Sequence, residues 1–375
     1  MEDRNKKVWV EIDLEAIRYN LQQIKKRVGP SVKIMAVVKS DAYGHGVKRV
    51  SKVLVEEGVD AFAVTDFDEG VSLREIGVDI PILILGSLFS DEVNSLLHYN
   101  LTPTIFDFKT AEMLSLLAKS SGKRVKVHIN IDTGMGRFGI SHKEAPLFIE
   151  KIANLKGLKI EGIYSHFSFA EEGDGFSYNQ IELFQSILKN INEKEIYPSL
   201  RHISNSAGII NFPNAYFNMV RPGLIIYGYY PSPKVSNELI LKPSMSLKTK
   251  VSFIRKVPKG TSLSYGRTYV TSEPTSIAIL PIGYANGYPR YLSNKAEVMV
   301  REKRVSLVGR ICMDQTLVNV THIKEVREGD EVVLWGSQGK QGISLEEVSL
   351  KADTIPYELV TNVGKSVYRI YKDGK

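Results

Sequence analysis

Lys33-Ile34-Met35-Ala36-Val37-Val38-Lys39 runs apolar over a short stretch and stops abruptly at a lysine. An apolar, β-branched run of this length, bounded by charge, reads as a buried strand. Residues 47–57 then carry an amphipathic helical pattern, and a second apolar run, Ala61-Phe62-Ala63-Val64-Thr65, follows. Strand, helix and strand in that order make a βα unit, and such units build parallel sheets. The alternation continues outward. Further strands are predicted over 82–85, 102–106, 124–131, 159–165, 201–204 and 218–221, and helices over 14–27, 69–76, 91–98, 109–119, 145–154 and 178–190. Eight strands within about 220 residues fit a (β/α)8 TIM barrel better than an open sheet, with no internal repeat to support the count independently.

After about residue 241 the pattern changes. Short strands are predicted over 251–257, 276–280, 296–300, 304–307, 316–320 and 331–334, separated by Gly, Pro and charged turns, and only 345–351 looks helical. This describes a β-rich second domain beginning near Pro243. The expected division is 10–240 for the barrel and 241–375 for the β domain, with 1–9 joining the latter. No low-complexity linker separates them, so close packing of the two is expected.

A chain of 375 residues exceeds what one core usually serves, which agrees with two domains. With 43% hydrophobic and 24% charged residues it has the composition of an ordinary globular protein. No stretch reaches the roughly 18 apolar residues of a membrane span, and Met1 to Lys7 lacks an apolar leader core, so a cytoplasmic location is expected. The single cysteine, Cys312, excludes an intrachain disulfide and a cysteine-built metal cage. The net charge of +7 is scattered rather than gathered in a basic stripe with aromatics, which argues against nucleic acid as a partner.

Barrels place their chemistry at the C-terminal ends of strands. Lys39 ends the first predicted barrel strand, where partial desolvation lowers an amine pKa and suits it to Schiff-base or general-base work; a lysine that merely opens a surface loop is the competing reading. Arg137 follows the fifth strand, His166 closes the sixth, Asn205 and Ser206 end the seventh, and Arg221 ends the eighth. One mouth would thus gather an amine, two guanidinium groups, an imidazole and a hydroxyl. That set suits a phosphorylated or carboxylated ligand that reacts with an amine. Gly134-x-Gly136-x-x-Gly139 formally matches a dinucleotide fingerprint, but it follows the fifth strand and no acidic residue ends the next one. There is no P-loop, no HExxH and no metal-ligand cluster, and His45 reads as a turn histidine with a ligand or base role as the alternative.

Several motifs resemble those of the alanine racemase family, and the match spans nearly the whole chain. Ala36-Val37-Val38-Lys39-Ser40-Asp41-Ala42-Tyr43-Gly44-His45-Gly46 looks like the family's cofactor-attachment signature. His202-Ile203-Ser204-Asn205-Ser206-Ala207, Val220-Arg221-Pro222-Gly223, Leu263-Ser264-Tyr265-Gly266, Pro281-Ile282-Gly283-Tyr284, Gly309-Arg310-Ile311-Cys312-Met313-Asp314-Gln315 and Thr354-Ile355-Pro356-Tyr357-Glu358 also match. The resemblance implies a pyridoxal 5'-phosphate enzyme, built as a barrel plus a β domain, that interconverts L- and D-alanine and supplies D-alanine for peptidoglycan. It implies a head-to-tail homodimer in which Lys39 of one chain and Tyr265 of the partner subunit act on opposite faces of the substrate. By the same carry-over, Tyr43, Ser206, the backbone of Gly223 and Leu224, and Tyr357 hold the cofactor phosphate. His166, Asn205 and Arg221 complete the cofactor site, with Arg221 facing the ring nitrogen. Arg137 and Met313 of the partner subunit receive the substrate carboxylate, and Tyr284, Arg290, Arg310 and Ile355 form the entrance.

Three positions depart from the family pattern. Asn130 stands where most members carry a carbamylated lysine beside the carboxylate-binding arginine, so chloride beside Asn130 and Arg137 is the expected replacement. Asn286 and Ser366 each replace a charged residue. These changes keep a serine or broad-specificity racemase open as an alternative. A non-catalytic pyridoxal-phosphate carrier, the other alternative, would lack the β domain and Tyr265.

Overall fold

The computed structural model describes residues 6–173, 175–235 and 238–374. The chain opens with strand β1 (Val8–Asp13) and helix α1 (Leu14–Val28), where Asp13 caps the helix by accepting from Ala16 N at 2.9 Å. The barrel strands are β2 (Lys33–Val37), β3 (Ala61–Val64), β4 (Ile82–Ile84), β5 (Thr102–Ile105), β6 (Val125–Asp132), β7 (Leu158–Tyr164), β8 (Leu200–His202) and β9 (Met219–Val220). They lie side by side in the order β9-β2-β3-β4-β5-β6-β7-β8, and each of these ladders is parallel. Between β8 and β9 the ring is fastened by Asn218 N to Arg201 O at 3.4 Å, Arg221 N to Ser204 O at 2.9 Å, and Arg201 N to the Asn218 side chain at 2.7 Å.

The helices between the strands are α2 (Val47–Glu56), α3 (Phe67–Glu75), α4 (Val93–Leu96), α5 (Phe108–Ser120), α6 (Ala145–Ala153), α7 (Gly175–Glu193) and α8 (Ser206–Asn211). Asp66 and Asp107 cap α3 and α5 through Glu69 N and Thr110 N. The helix expected over 91–98 shrinks to the single turn of α4. Glu92 stands at its start with no side-chain cap, its carboxylate taken instead by Phe89 N, and Asn100 leaves in the left-handed region.

Inside the barrel, inward side chains stack in layers from one mouth to the other. Lys33, Ala61, Leu83, Thr102 and Lys126 line the N-terminal mouth, whereas Val37, Thr65, Leu85, Asn130 and Tyr164 line the C-terminal one. Six other strands, all beyond residue 244, form a seven-stranded sheet with β1 inserted among them: β1 runs antiparallel to Met245–Lys250 and parallel to Tyr368–Lys372. The strand expected at 251–257 is present as Phe253–Val257, which pairs with Thr275–Leu280 in a separate three-stranded sheet, whereas Met245–Lys250, in the seven-stranded sheet, was not expected. The sequence reading missed Tyr368–Lys372 and the helix Pro356–Thr361.

One hydrophobic cluster runs through both halves, from Ile17 and Phe62 to Leu247, Trp335 and Leu359. Asn20, buried on α1, secures the crossing. Its amide nitrogen donates to Ile226 O at 3.1 Å and Lys242 O at 2.8 Å, and its oxygen accepts from Lys242 N at 2.7 Å. Among the described residues no helix is long and apolar enough to cross a membrane, and no group of three or more metal-ligating side chains is found.

Candidate active site

β2 delivers Lys39 to the C-terminal mouth, and the chain then does something L-residues avoid. Ser40, Asp41, Ala42 and Tyr43 all take φ between 52° and 55°, giving a turn of left-handed helix before Gly44. Tertiary contacts hold it. Glu69 accepts from Ser40 N and Thr65 N, Asp41 accepts from Val47 N at 2.8 Å, and Arg369 Nε donates to Gly44 O at 2.9 Å. A Cβ on Gly44 would fall 2.2 Å from Val360 O, so a glycine is needed there. His45, read as a turn histidine, is buried in this turn, stacked on Tyr227 with its Nδ1 2.8 Å from Tyr43 O.

Lys39 lines a cavity of about 510 Å³ together with Tyr43, Asn130, Arg137, His166, Asn205, Ser206, Arg221, Gly223, Ile355 and Tyr357. Burial, reinforced by the Arg137 charge and opposed by Glu69, lowers the Lys39 pKa below its ordinary value. On the barrel side, Arg221 is held by four acceptors. NH1 donates to His202 Nδ1 at 2.6 Å; NH2 donates to Ser165 O at 2.7 Å, Ile203 O at 3.2 Å and His166 Nδ1 at 3.2 Å. Burial lowers Arg221 to about 10, so it stays charged at neutral pH. Burial, with the Arg221, Arg137 and Lys39 charges behind it, pushes His166 down to about 3, so its ring is neutral.

Opposite lies a hydroxyl-rich cup. Ser206 Oγ accepts from Gly223 N at 3.0 Å and shares a hydrogen bond with Tyr357, whose ring sits 6.1 Å from that of Tyr43. A Cβ on Gly223 would stand 2.5 Å from Tyr43 Oη, so backbone closes this wall. Asn205 caps α8 through Gly208 N, and Leu224 is fully buried behind the cup. Arg137 rides on a loop wound around Asp132, whose Oδ1 accepts from Gly134 N, Met135 N and Gly136 N at 2.8, 2.8 and 3.1 Å. These glycines, formally a dinucleotide fingerprint, serve that turn. Gln180 of α7 ties the neighbouring loops, donating to His166 O at 3.0 Å and Thr133 Oγ1 at 3.2 Å.

Residues 12–231 match the alanine racemase N-terminal domain and 244–371 the alanine racemase C-terminal domain. The chain belongs to the alanine racemase family. A curated relative, the alanine racemase of Halothermothrix orenii, is 46% identical over 366 residues, covering 97% of each chain. Among solved structures, an alanine racemase from Clostridium difficile 630 superposes with a TM-score of 0.94 at 36% identity, covering 99% of this chain and 97% of its own. The alanine racemase of Bartonella henselae, solved with covalently bound pyridoxal phosphate, gives 0.89 at 28% identity, covering 98% and 99%.

Alanine racemases are pyridoxal-phosphate-dependent isomerases, and the residues present fit that group. Lys39 supplies an amine of lowered pKa, Arg221 a cation at the barrel side, and Ser206, Tyr357, Tyr43 and the Gly223 backbone a cup that leaves no room for a Cβ. The remaining expected residues do not line this cavity. Tyr265, Met313 and Tyr284 are 68%, 54% and 44% exposed. Their segments are tied to those of Arg310 and Arg290 through Ser264 Oγ to Arg310 O, Tyr284 N to Cys312 O, Ala285 N to Met313 O, Ile311 N to Ser293 Oγ, and Ser293 Oγ to Arg290 O. The walls of this cavity also rest on residues that the sequence did not single out: Asp132 and Gln180 as loop anchors, and Tyr164, whose ring lies 5.0 Å from the Arg221 guanidinium. Tyr164 stands two positions before His166 on an alternating strand, a spacing that puts both side chains in the barrel.

Proposed function

We propose that this chain interconverts L- and D-alanine as a pyridoxal-phosphate-dependent homodimer, with Lys39 and Tyr265 of the partner subunit as the two bases. One observation carries the reading. Lys39 lines the cavity, and burial and the Arg137 charge favour its neutral, proton-accepting form. His166 is too weak a base at about 3, burial raises the phenols of Tyr43 and Tyr357 above their usual range, and Arg221 is a fixed cation. Inverting a stereocentre calls for a second group on the other face, and Tyr265 lies exposed outside this cavity.

Bound pyridoxal phosphate supplies the electron withdrawal that acidifies the α-hydrogen of an attached amino acid. The chain's residues do the rest. Lys39 Nζ takes or returns the proton on its face, and Arg137 orients the carboxylate with Met313 of the partner subunit. Arg221 has only donors and therefore cannot accept a proton to share with the ring nitrogen, which favours racemisation over side reactions. Tyr43, Ser206, Tyr357 and the Gly223 and Leu224 backbone hold the phosphate, with His166 and Asn205 completing the site. Tyr284, Arg290, Arg310 and Ile355 narrow the entrance. Asn130 lacks the charge a carbamylated lysine would bring, so chloride is proposed beside it and Arg137. The D-alanine formed would serve peptidoglycan.

Incubation with pyridoxal phosphate and single L-amino acids, read by chiral chromatography, tests the proposal. D-alanine as the main product is expected. Abundant D-serine without D-alanine would replace the substrate, as Asn130 allows, and no racemisation with cofactor bound would favour the carrier.

A further inference from the structure

We infer that His128, on the barrel interior below the cofactor site, is a positioning residue for Arg221, acting through His202. A guanidinium only donates, so its 2.6 Å contact leaves His202 Nδ1 without a hydrogen. Burial and the Arg221 charge keep the His202 ring neutral, so its one hydrogen sits on Nε2, which faces His128 Nδ1 at 2.9 Å. The His128 hydrogen is then on Nε2, 3.9 Å from Glu161 Oε2, and Glu161 Oε1 pairs with Lys126 at 2.6 Å. Every donor in this chain points one way, from the cofactor mouth to the opposite mouth.

The barrel is bent to build it. The ladder between β6 and β7 slips at this level: Val127 faces Ile160, but His128 faces Gly162, leaving Glu161 as the extra residue. Such a bulge re-aims a side chain. A Cβ on Gly162 would stand 2.5 Å from His128 Nδ1 and Cε1, so only glycine leaves space for the ring. The Tyr164 ring stacks on His202 at 5.0 Å with 6° between planes. The groups facing the pair are Arg221 and Tyr164 above, and Lys126 and Glu161 below, beside a floor cavity that also holds Lys33 and Asp60.

The consequence is directional. Were His202 to carry its hydrogen on Nδ1, an N–H would confront an N–H and the Arg221 guanidinium would swing from its place. The effect on turnover rests on the proposed racemase function; the tautomers do not. The test is ring-¹⁵N NMR of histidine-labelled holoenzyme, with kinetics on L-alanine. In the wild type both rings carry hydrogen on Nε2 alone. His128→Leu lets His202 populate other forms and lowers kcat about tenfold, with KM within about threefold. His128→Asn, which can place its amide oxygen where Nδ1 stood, restores the tautomer and most of kcat. A wild-type His202 with hydrogen on Nδ1 overturns the inference, and so does a His128→Leu enzyme with unchanged tautomer and kcat, or an Asn variant as slow as Leu. The expected tautomers with no racemisation would overturn the proposed function and support the relay.

Discussion

Acid should destabilise this protein well before its carboxylates protonate. His45, His128 and His202 are at most 1% exposed and uncharged; burial, the leading cause for each, lowers His45 to about 4, His128 to about 3 and His202 well below its ordinary value. In the unfolded chain each titrates near 6.5. Below that pH the unfolded state takes up protons that the folded state refuses, so stability is full above about 6.5 and falls toward 4. At pH 5 the gap is about 1.5 pH units, or about 2 kcal/mol per histidine. That figure is set by the unfolded value and the pH, so it holds wherever the folded value lies below 5. Three histidines give about 6 kcal/mol between pH 7.5 and 5, comparable with the whole stability of many domains. Urea unfolding by circular dichroism, at fixed protein concentration, of the wild type and His45→Asn would measure it. The Asn amide keeps a donor for Tyr43 O but cannot ionise. The variant should start lower and lose about 2 kcal/mol less over this range. Parallel pH curves for the two proteins would refute the reasoning.

Other substitutions probe other parts. Asp132→Ala removes the acceptor for three backbone N–H groups and loosens the Arg137 loop, so KM for alanine should rise about tenfold or more with a smaller change in kcat, read by steady-state kinetics. Asn20→Ala should cost about 2–4 kcal/mol by stranding the Ile226 and Lys242 backbone groups, seen as a lowered urea midpoint. Gly228→Ala should yield little folded protein, since φ is 86° and a Cβ would lie 1.8 Å from Lys242 O; soluble yield and circular dichroism report it.

Most barrel strands were legible because both of their faces are covered, which writes them as short apolar runs. The expected 33–38 and 102–106 match Lys33–Val37 and Thr102–Ile105 to within a residue. Tyr368–Lys372 has no such signature: it alternates, and the strand it joins, Val8–Asp13, is at the other end of the chain. Lys39, His166 and Arg221 could be found by position, since each ends a strand at one mouth. The residues that hold them could not. Asp132 reads as an ordinary loop acid until its oxygen meets three amides, and His128 as one more strand residue until the register slips beside it. Ser40 to Tyr43 contain no glycine, so nothing local announces their left-handed turn.

That turn has a consequence in time. Four L-residues in this region cost about 1–2 kcal/mol each, so the loop bearing Lys39 would unwind if left alone. Its restraints include Arg369 on Gly44 O, from 325 residues further along the chain. A nascent barrel has its lysine already but not the contact that shapes the loop around it. The reactive amine therefore reaches its working geometry only once the strand carrying Arg369 has been made, which links readiness for cofactor to the presence of the second domain.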